Sequence, residues 1–304
     1  RSKGLLITFL GVFFVVPDSL FVRLIDGDPI TTAFWRGLIG GSLIFLALIF
    51  SKGIKVFRPV MASSYPGVIY ILLIGSTTPA FVLAVTYTSV ANVVFIFASI
   101  PIFALIFSYI FLGEKILLST LLTSLIVIIG LAIIAYGSKT SEISSWKGDI
   151  WALYVSAAYA GALTSLRKVK EISMVPTVPI AFLGSSLIIL IFHFPFGDLD
   201  ENLIFYLFHG FFIGIASWLL TLGPRYLSSP EVSLLILLET VFAPILVWLV
   251  IGEFPGHLAI IGGSLIIVTL FIFNLFKLLK EKNSVYKYLS LIHISEPTRL
   301  LSIS

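Results

Sequence analysis

A chain of 304 residues with 59% apolar residues, 11% charged residues and a mean hydropathy of +1.12 has more apolar surface than a soluble core can hide. That composition points to lipid and excludes an ordinary soluble enzyme or binding domain. The lack of cysteine excludes disulfides and thiolate metal sites, and a net charge of +4 implies no nucleic-acid partner where Lys and Arg gather in membrane loops.

A helix that crosses a bilayer needs roughly 20 mostly apolar residues. In chain order, ten segments qualify: 4–24, 30–50, 66–87, 91–112, 117–136, 149–166, 178–194, 203–226, 231–251 and 257–276. Turn-forming stretches at 26–29, 194–198 and 252–256 separate some of them, and connections this short predict antiparallel hairpins. With a cytoplasmic N-terminus and alternating sides, fourteen Lys and Arg residues fall inside, against three outside, Arg23, Lys139 and Lys147. This positive-inside bias predicts an integral membrane protein of a bacterial inner membrane with both ends cytoplasmic.

The chain repeats itself. Tyr87 to Asn92, an apolar run and Gly113-Glu114 correspond to Tyr226 to Glu231, an apolar run and Gly252-Glu253, at a constant offset of 139. The same offset pairs Gly75 with Gly214, Val93 with Val232, Phe103 with Phe242 and Ala104 with Ala243. Gly4 and Gly148, and Arg23 and Arg167, align at a slightly different offset. Five spans per repeat return the chain on the opposite face, so the halves, 1–137 and 148–276, are expected to be inverted about an axis in the membrane plane. Residues 277–288 read as a basic cytoplasmic tail. Residues 289–304 contain a stretch, Leu289 to Arg299, that resembles the translation of a transposon sequencing adapter. It is expected to be non-native, and His293 and Glu296 receive no functional reading. Arg1 in place of methionine suggests a truncated N-terminus.

The predicted fold is therefore all-α, with ten transmembrane helices in a five-plus-five inverted repeat. The paired Gly-Glu motifs closing the fourth span of each half, with Gly130 in the fifth, resemble the drug/metabolite transporter superfamily and its EamA-type members over residues 4–276. The resemblance implies a central cavity lined by helices 1, 3, 4, 6, 8 and 9 that opens alternately to each side. It implies no particular solute. Glu231 stands opposite Asn92 and Glu239 opposite Ile100, so the chemistry of the two halves differs.

An ionisable side chain deep in a span requires a partner, a wet cavity or a function. Asp18, Arg36, His209 and Glu239 are such residues. Asp18 and Arg36 each lie six residues inside the outer end of neighbouring helices, roughly 9 Å deep at about 1.5 Å per residue, and are expected to pair. The pair either pins the hairpin or releases Arg36 for a solute carboxylate. Glu239 has no basic residue at its depth and reads as a protonatable cavity group, for coupling or for an amine; the plainer alternative is a carboxyl donating to a helix carbonyl. His209 reads either as packing or as a site residue. Trp35, Tyr159 and Trp218 are candidate aromatic walls, and Thr78 a further candidate contact. Pro17, Pro79, Pro101, Pro224 and Pro244 mark expected kinks. Small-xxx-small motifs at Gly37 and Gly41 and at Gly210 and Gly214 fit close helix packing in a monomer or weak homodimer.

These residues favour a secondary transporter of a small organic metabolite, with an amino acid or related zwitterion as the expected solute, export as the direction and protons as a further candidate partner. Proton-coupled efflux of lipophilic cations stands beside it as an alternative. An intramembrane enzyme lacks its motifs here, and a scaffold lacks an extramembrane domain. No Gly-x-x-x-x-Gly-Lys loop or other cofactor motif is present.

Overall fold

The structure is a computed structural model that describes residues 1–88, 93, 96, 97, 99–115, 117–137, 146–197, 199–252 and parts of 257–279. The joint between the halves at 138–145, Asn92, Glu253, and the tail from 280 to 304 lie outside the described residues. Among the described residues every regular element is a helix. In lipid each N–H and C=O must bond within its own segment, and a helix does this at once. In chain order the α-helices are α1 (Ser2–Val15), α2 (Asp18–Leu24), α3 (Pro29–Lys52), α4 (Arg58–Ala62), α5 (Ser64–Tyr87), α6 (Ile100–Leu112) and α7 (Leu118–Gly137). Then follow α8 (Trp146–Lys168), α9 (Thr177–Phe192), α10 (Leu199–Leu222), α11 (Ser229–Ile236), α12 (Glu239–Ile251) and α13 (Ile260–Phe273).

Five helical stretches are long and apolar enough to cross a bilayer: Ser2–Leu24, Pro29–Lys52, Ser64–Tyr87, Glu201–Arg225 and Ser229–Ile251. Shorter apolar helices accompany them at Ile100–Leu112, Leu118–Gly130, Thr177–Phe192 and Ile260–Phe273. Each of the ten apolar segments of the sequence is mainly helical where it is described. Large apolar side chains such as Phe50 and Phe192, both 84% exposed, cover the outside, a surface that suits lipid and not water.

Local chemistry sets the helix ends. Asp28 caps α3 by accepting from the Thr31 N–H at 2.9 Å, with Pro29 at the first helical position. Ser228 and Glu231 form a reciprocal capping box at the start of α11. Gly113 and Gly252, at φ 64° and 83°, end α6 and α12 in the left-handed conformation that costs glycine least. The repeated Gly in the Gly-Glu motif is thus a helix terminator.

Two spans that the sequence suggests are continuous are interrupted. The first breaks at Val16-Pro17, where proline has no N–H to give the Phe13 carbonyl. The ninth breaks at Leu237-Leu238, where the backbone tightens and Thr240 N–H donates to the Leu237 carbonyl and Val241 N–H to that of Leu238, both at 3.1 Å. Asp18 and Glu239 therefore each open a half-helix within a span.

The packing is symmetric under exchange of the halves. α5 packs along α8 as α10 packs along α1, and α3 packs on α10 as α9 packs on α5. The α3–α9 and α6–α11 contacts map onto themselves. Glycines at equivalent places let these pairs touch. A side chain at Gly148 would meet Thr88 N at 2.6 Å, and one at Gly4 would collide with Tyr226, the repeat partner of Tyr87. Likewise Gly75 lies against the Ala181 carbonyl, 3.1 Å from where its Cβ would be, and Gly214 against that of Gly40, at 3.2 Å.

Candidate functional site

A cavity lies where the two halves meet, with about 830 Å³ of space not filled by protein atoms, its mouth included. Residues from α1, α2, α3, α5, α6, α8, α9, α10, α11 and α12 line it. Four of the lining pairs are repeat equivalents: Ile74 with Ile213, Phe81 with Leu220, Phe97 with Ile236, and Ile100 with Glu239. The cavity therefore straddles the axis that exchanges the halves.

Asp18 and Arg36 make the pair expected from their equal depths. Arg36 Nε donates to Asp18 Oδ1 at 3.0 Å and Nη2 to Oδ2 at 2.6 Å. Both residues line the cavity and are nearly enclosed, at 3% and 7% exposure. The Arg36 guanidinium also stands over the Phe81 ring, 5.2 Å from its centroid. Its third nitrogen, Nη1, hydrogen-bonds no described residue and is not among the buried unpartnered atoms, which leaves its donors to the cavity.

His209 completes the cluster from the far side. It lies on α10, does not line the cavity, and its Nε2 hydrogen-bonds Asp18 Oδ1. The ring stacks on Phe21 with centroids 5.7 Å apart, and its Nδ1 is buried with no partner. Asp18 thus holds three hydrogen bonds on two oxygens. Sequence reasoning found each of these residues but did not join His209 to the pair, because depth along a span says nothing about which neighbour a side chain faces.

Glu239 lines the cavity at the start of α12. No described residue hydrogen-bonds or ion-pairs with its carboxylate, while the Asp18 and Arg36 charges lie within electrostatic range. Tyr159 lines the same space from α8. Like His209, three further candidates do not line this cavity. Trp35 packs between α3 and α10, giving its indole N–H to the Pro195 carbonyl at 2.8 Å and stacking on the buried Tyr206. Trp218 packs into an apolar cluster around Ile44 and Tyr70. Thr78 is buried on the adjacent face of α5, and its neighbour Thr77 meets the cavity instead, although both hydroxyls donate back to the Ile74 carbonyl. One turn of helix fixes which residue of a run faces inward, and composition does not reveal that angle.

Sequence reasoning missed Tyr70 and Thr221, whose hydroxyls hydrogen-bond at 2.8 Å between α5 and α10 at one end of the cavity. The repeat held a hint, since Tyr70 is the equivalent of His209.

A model of the EamA-like transporter family matches residues 2–136 and again 146–275. The chain belongs to the EamA-like transporter family. It is thereby a member of the drug/metabolite transporter superfamily and an integral membrane protein. A crystal structure of another protein superposes with a TM-score of 0.74 at 16% identity, covering 91% of this chain and 98% of the other, so the likeness is one of fold. No curated protein matches the sequence significantly.

In this EamA-like protein a further polar contact ties the halves together. The Glu114 that follows the α6 terminator accepts from Arg167 Nε of α8 at 2.9 Å, and Arg167 Nη1 donates to the Pro224 carbonyl after α10. The bridge joins the ends of three cavity-lining spans and makes no contact with the cavity itself. Glu231, expected to mark asymmetric site chemistry, is instead held by Ser228 and by Arg1 at 3.0 Å.

Proposed function

We propose that the protein is a secondary transporter that carries a small zwitterion, an amino acid or a close relative, by alternating access. The observation that carries this reading is a single cavity with two opposite charges whose hydrogen-bonding capacity is unfilled: the Arg36 Nη1 donors and the Glu239 carboxylate. A buried charge left short of partners is costly, and a solute that brings a carboxylate to one and an ammonium to the other removes both costs. Phe81, Phe97 and Tyr159 offer apolar wall to the rest of the solute.

The reading includes ten spans, inverted halves, an inner-membrane location, both ends in the cytoplasm and export as the physiological direction. The odd number of spans per half and the excess of basic residues in the assigned inner loops support it. A second reading, efflux of lipophilic cations, is favoured by one observation: Asp18 already occupies two of the three Arg36 nitrogens, which leaves Glu239 as the cavity's unpaired charge. Uptake of labelled amino acids and of quaternary amines into proteoliposomes, with and without an imposed pH gradient, separates the two. Transport of quaternary amines alone would overturn the zwitterion reading.

A further inference from the structure

We propose that Asp18 is the proton-accepting group of this transporter, and that a solute carboxylate binding Arg36 causes Asp18 to take up one proton. This rests on the reading of the cavity as a solute site and adds a linkage and a carrier to it.

Charge balance carries the argument. Asp18 and Arg36 are both almost fully enclosed and satisfy each other through two hydrogen bonds. A carboxylate that docks on Arg36 Nη1 and draws the guanidinium toward itself loosens the bond from Nη2 to Asp18 Oδ2. Arg36 is then neutralised by the solute, and Asp18 would stand as a second, uncompensated anion in the same enclosure. Such a charge is expensive, and a proton from water in the cavity, which Asp18 lines, removes it by adding to the vacated Oδ2. Before binding the cluster holds Arg36 positive and Asp18 negative. Afterwards it holds Arg36 positive, the solute carboxylate negative and Asp18 neutral.

His209 is the positioning residue. Its Nε2–H donated to Oδ1 keeps that oxygen as an acceptor throughout, so the proton goes to Oδ2. The unpartnered Nδ1 excludes His209 itself as the carrier, because an imidazolium would bury an N–H with no acceptor. Other ionisable groups facing the cluster are Glu239 from α12, Tyr159 from α8 and Tyr70 from α5. Glu239 has no hydrogen bond to Asp18 or Arg36, so a carboxylate that displaces the guanidinium acts on Asp18 directly and on Glu239 only through space.

The test uses the full chain in detergent and three probes: leucine, 4-methylpentanoate, which lacks the amine, and 3-methylbutylamine, which lacks the carboxylate. Binding heats measured in two buffers of different ionisation enthalpy give the protons taken up per probe. 4-Methylpentanoate should take up close to one proton and the amine none, and leucine should take up the same proton less any that its ammonium displaces from Glu239. Asp18→Asn should remove the uptake, and Glu239→Gln should leave it unchanged for 4-methylpentanoate. His209→Gln should retain binding with reduced uptake. Should Asp18→Asn fail to fold, the Glu239→Gln protein decides alone, because loss of the 4-methylpentanoate uptake there would assign the proton to Glu239 and overturn the proposal. Binding of 4-methylpentanoate without protons, or with equal uptake in Asp18→Asn, would overturn the proposal. Binding of the amine alone overturns it and leaves the ammonium reading of Glu239 standing. Proton-linked binding of 4-methylpentanoate without the amine does the reverse, and binding of none of the three overturns both.

Discussion

At the scale of single residues, the cavity is governed by where charge sits unpaired. Removing one partner of the enclosed Asp18–Arg36 pair strands the other, at a cost of about 3–5 kcal/mol in comparable buried pairs. Arg36→Gln should therefore lower the melting temperature in detergent markedly, and adding Asp18→Asn should recover part of the loss, read by thermal unfolding of the three proteins. A recovery of zero would show that the two side chains do not depend on each other. Glu239 predicts a different result. With no described partner to strand, Glu239→Gln should leave the melting temperature close to that of the parent while weakening amine binding tenfold or more, about 1.4 kcal/mol at least. Equal affinity for 3-methylbutylamine in that variant would return Glu239 to a packing role.

Between elements, close backbone approach replaces the hydrophobic effect that lipid cannot supply. Gly148 lies against the end of α5, and any side chain there must displace Thr88 backbone. Gly184 in α9 has nothing within 4 Å of a built Cβ. Gly148→Leu should thus reduce the yield of folded protein and its melting temperature, whereas Gly184→Ala should be tolerated, an outcome that detergent size-exclusion profiles distinguish. Equal tolerance at both positions would sink the account of the half-to-half interface. The Arg167–Glu114 bridge between α8 and the end of α6 is partly exposed, at 20% and 30% for the two side chains. Its double-mutant coupling should be below about 1 kcal/mol, as for other exposed pairs. Variants there should alter transport rate more than thermal stability.

For the whole molecule, the exchange symmetry seen in helix packing and the odd span count per half together predict inverted halves. Reporter fusions in the loop around Lys55 should be cytoplasmic, and fusions near Gly197 external. The same side for both would rule out the proposed topology. Much of this scale is legible in the sequence because repeats, apolar runs and loop charges are one-dimensional features. Depth is legible too, since rise per residue is fixed, and so Asp18 and Arg36 pair as their equal depths require. Azimuth is not. Trp35 and Trp218 have the residue type of cavity walls, yet the angle of α3 and the packing of α10 turn them elsewhere.

Membrane residence, the duplication, the helix terminators at Gly113 and Gly252 and the matched positions of Asp18 and Arg36 along neighbouring spans are written in the chain, because each follows from local propensity or from counting along a span. Packing between helices alone sets that His209 supports Asp18, that Arg36 keeps a nitrogen for the cavity, that Glu239 opens a half-helix after Leu237-Leu238, and that Thr77 rather than Thr78 faces inward. These depend on contacts between residues as many as 191 positions apart and on helix rotation, which the packing of neighbouring spans fixes and no local sequence signal encodes.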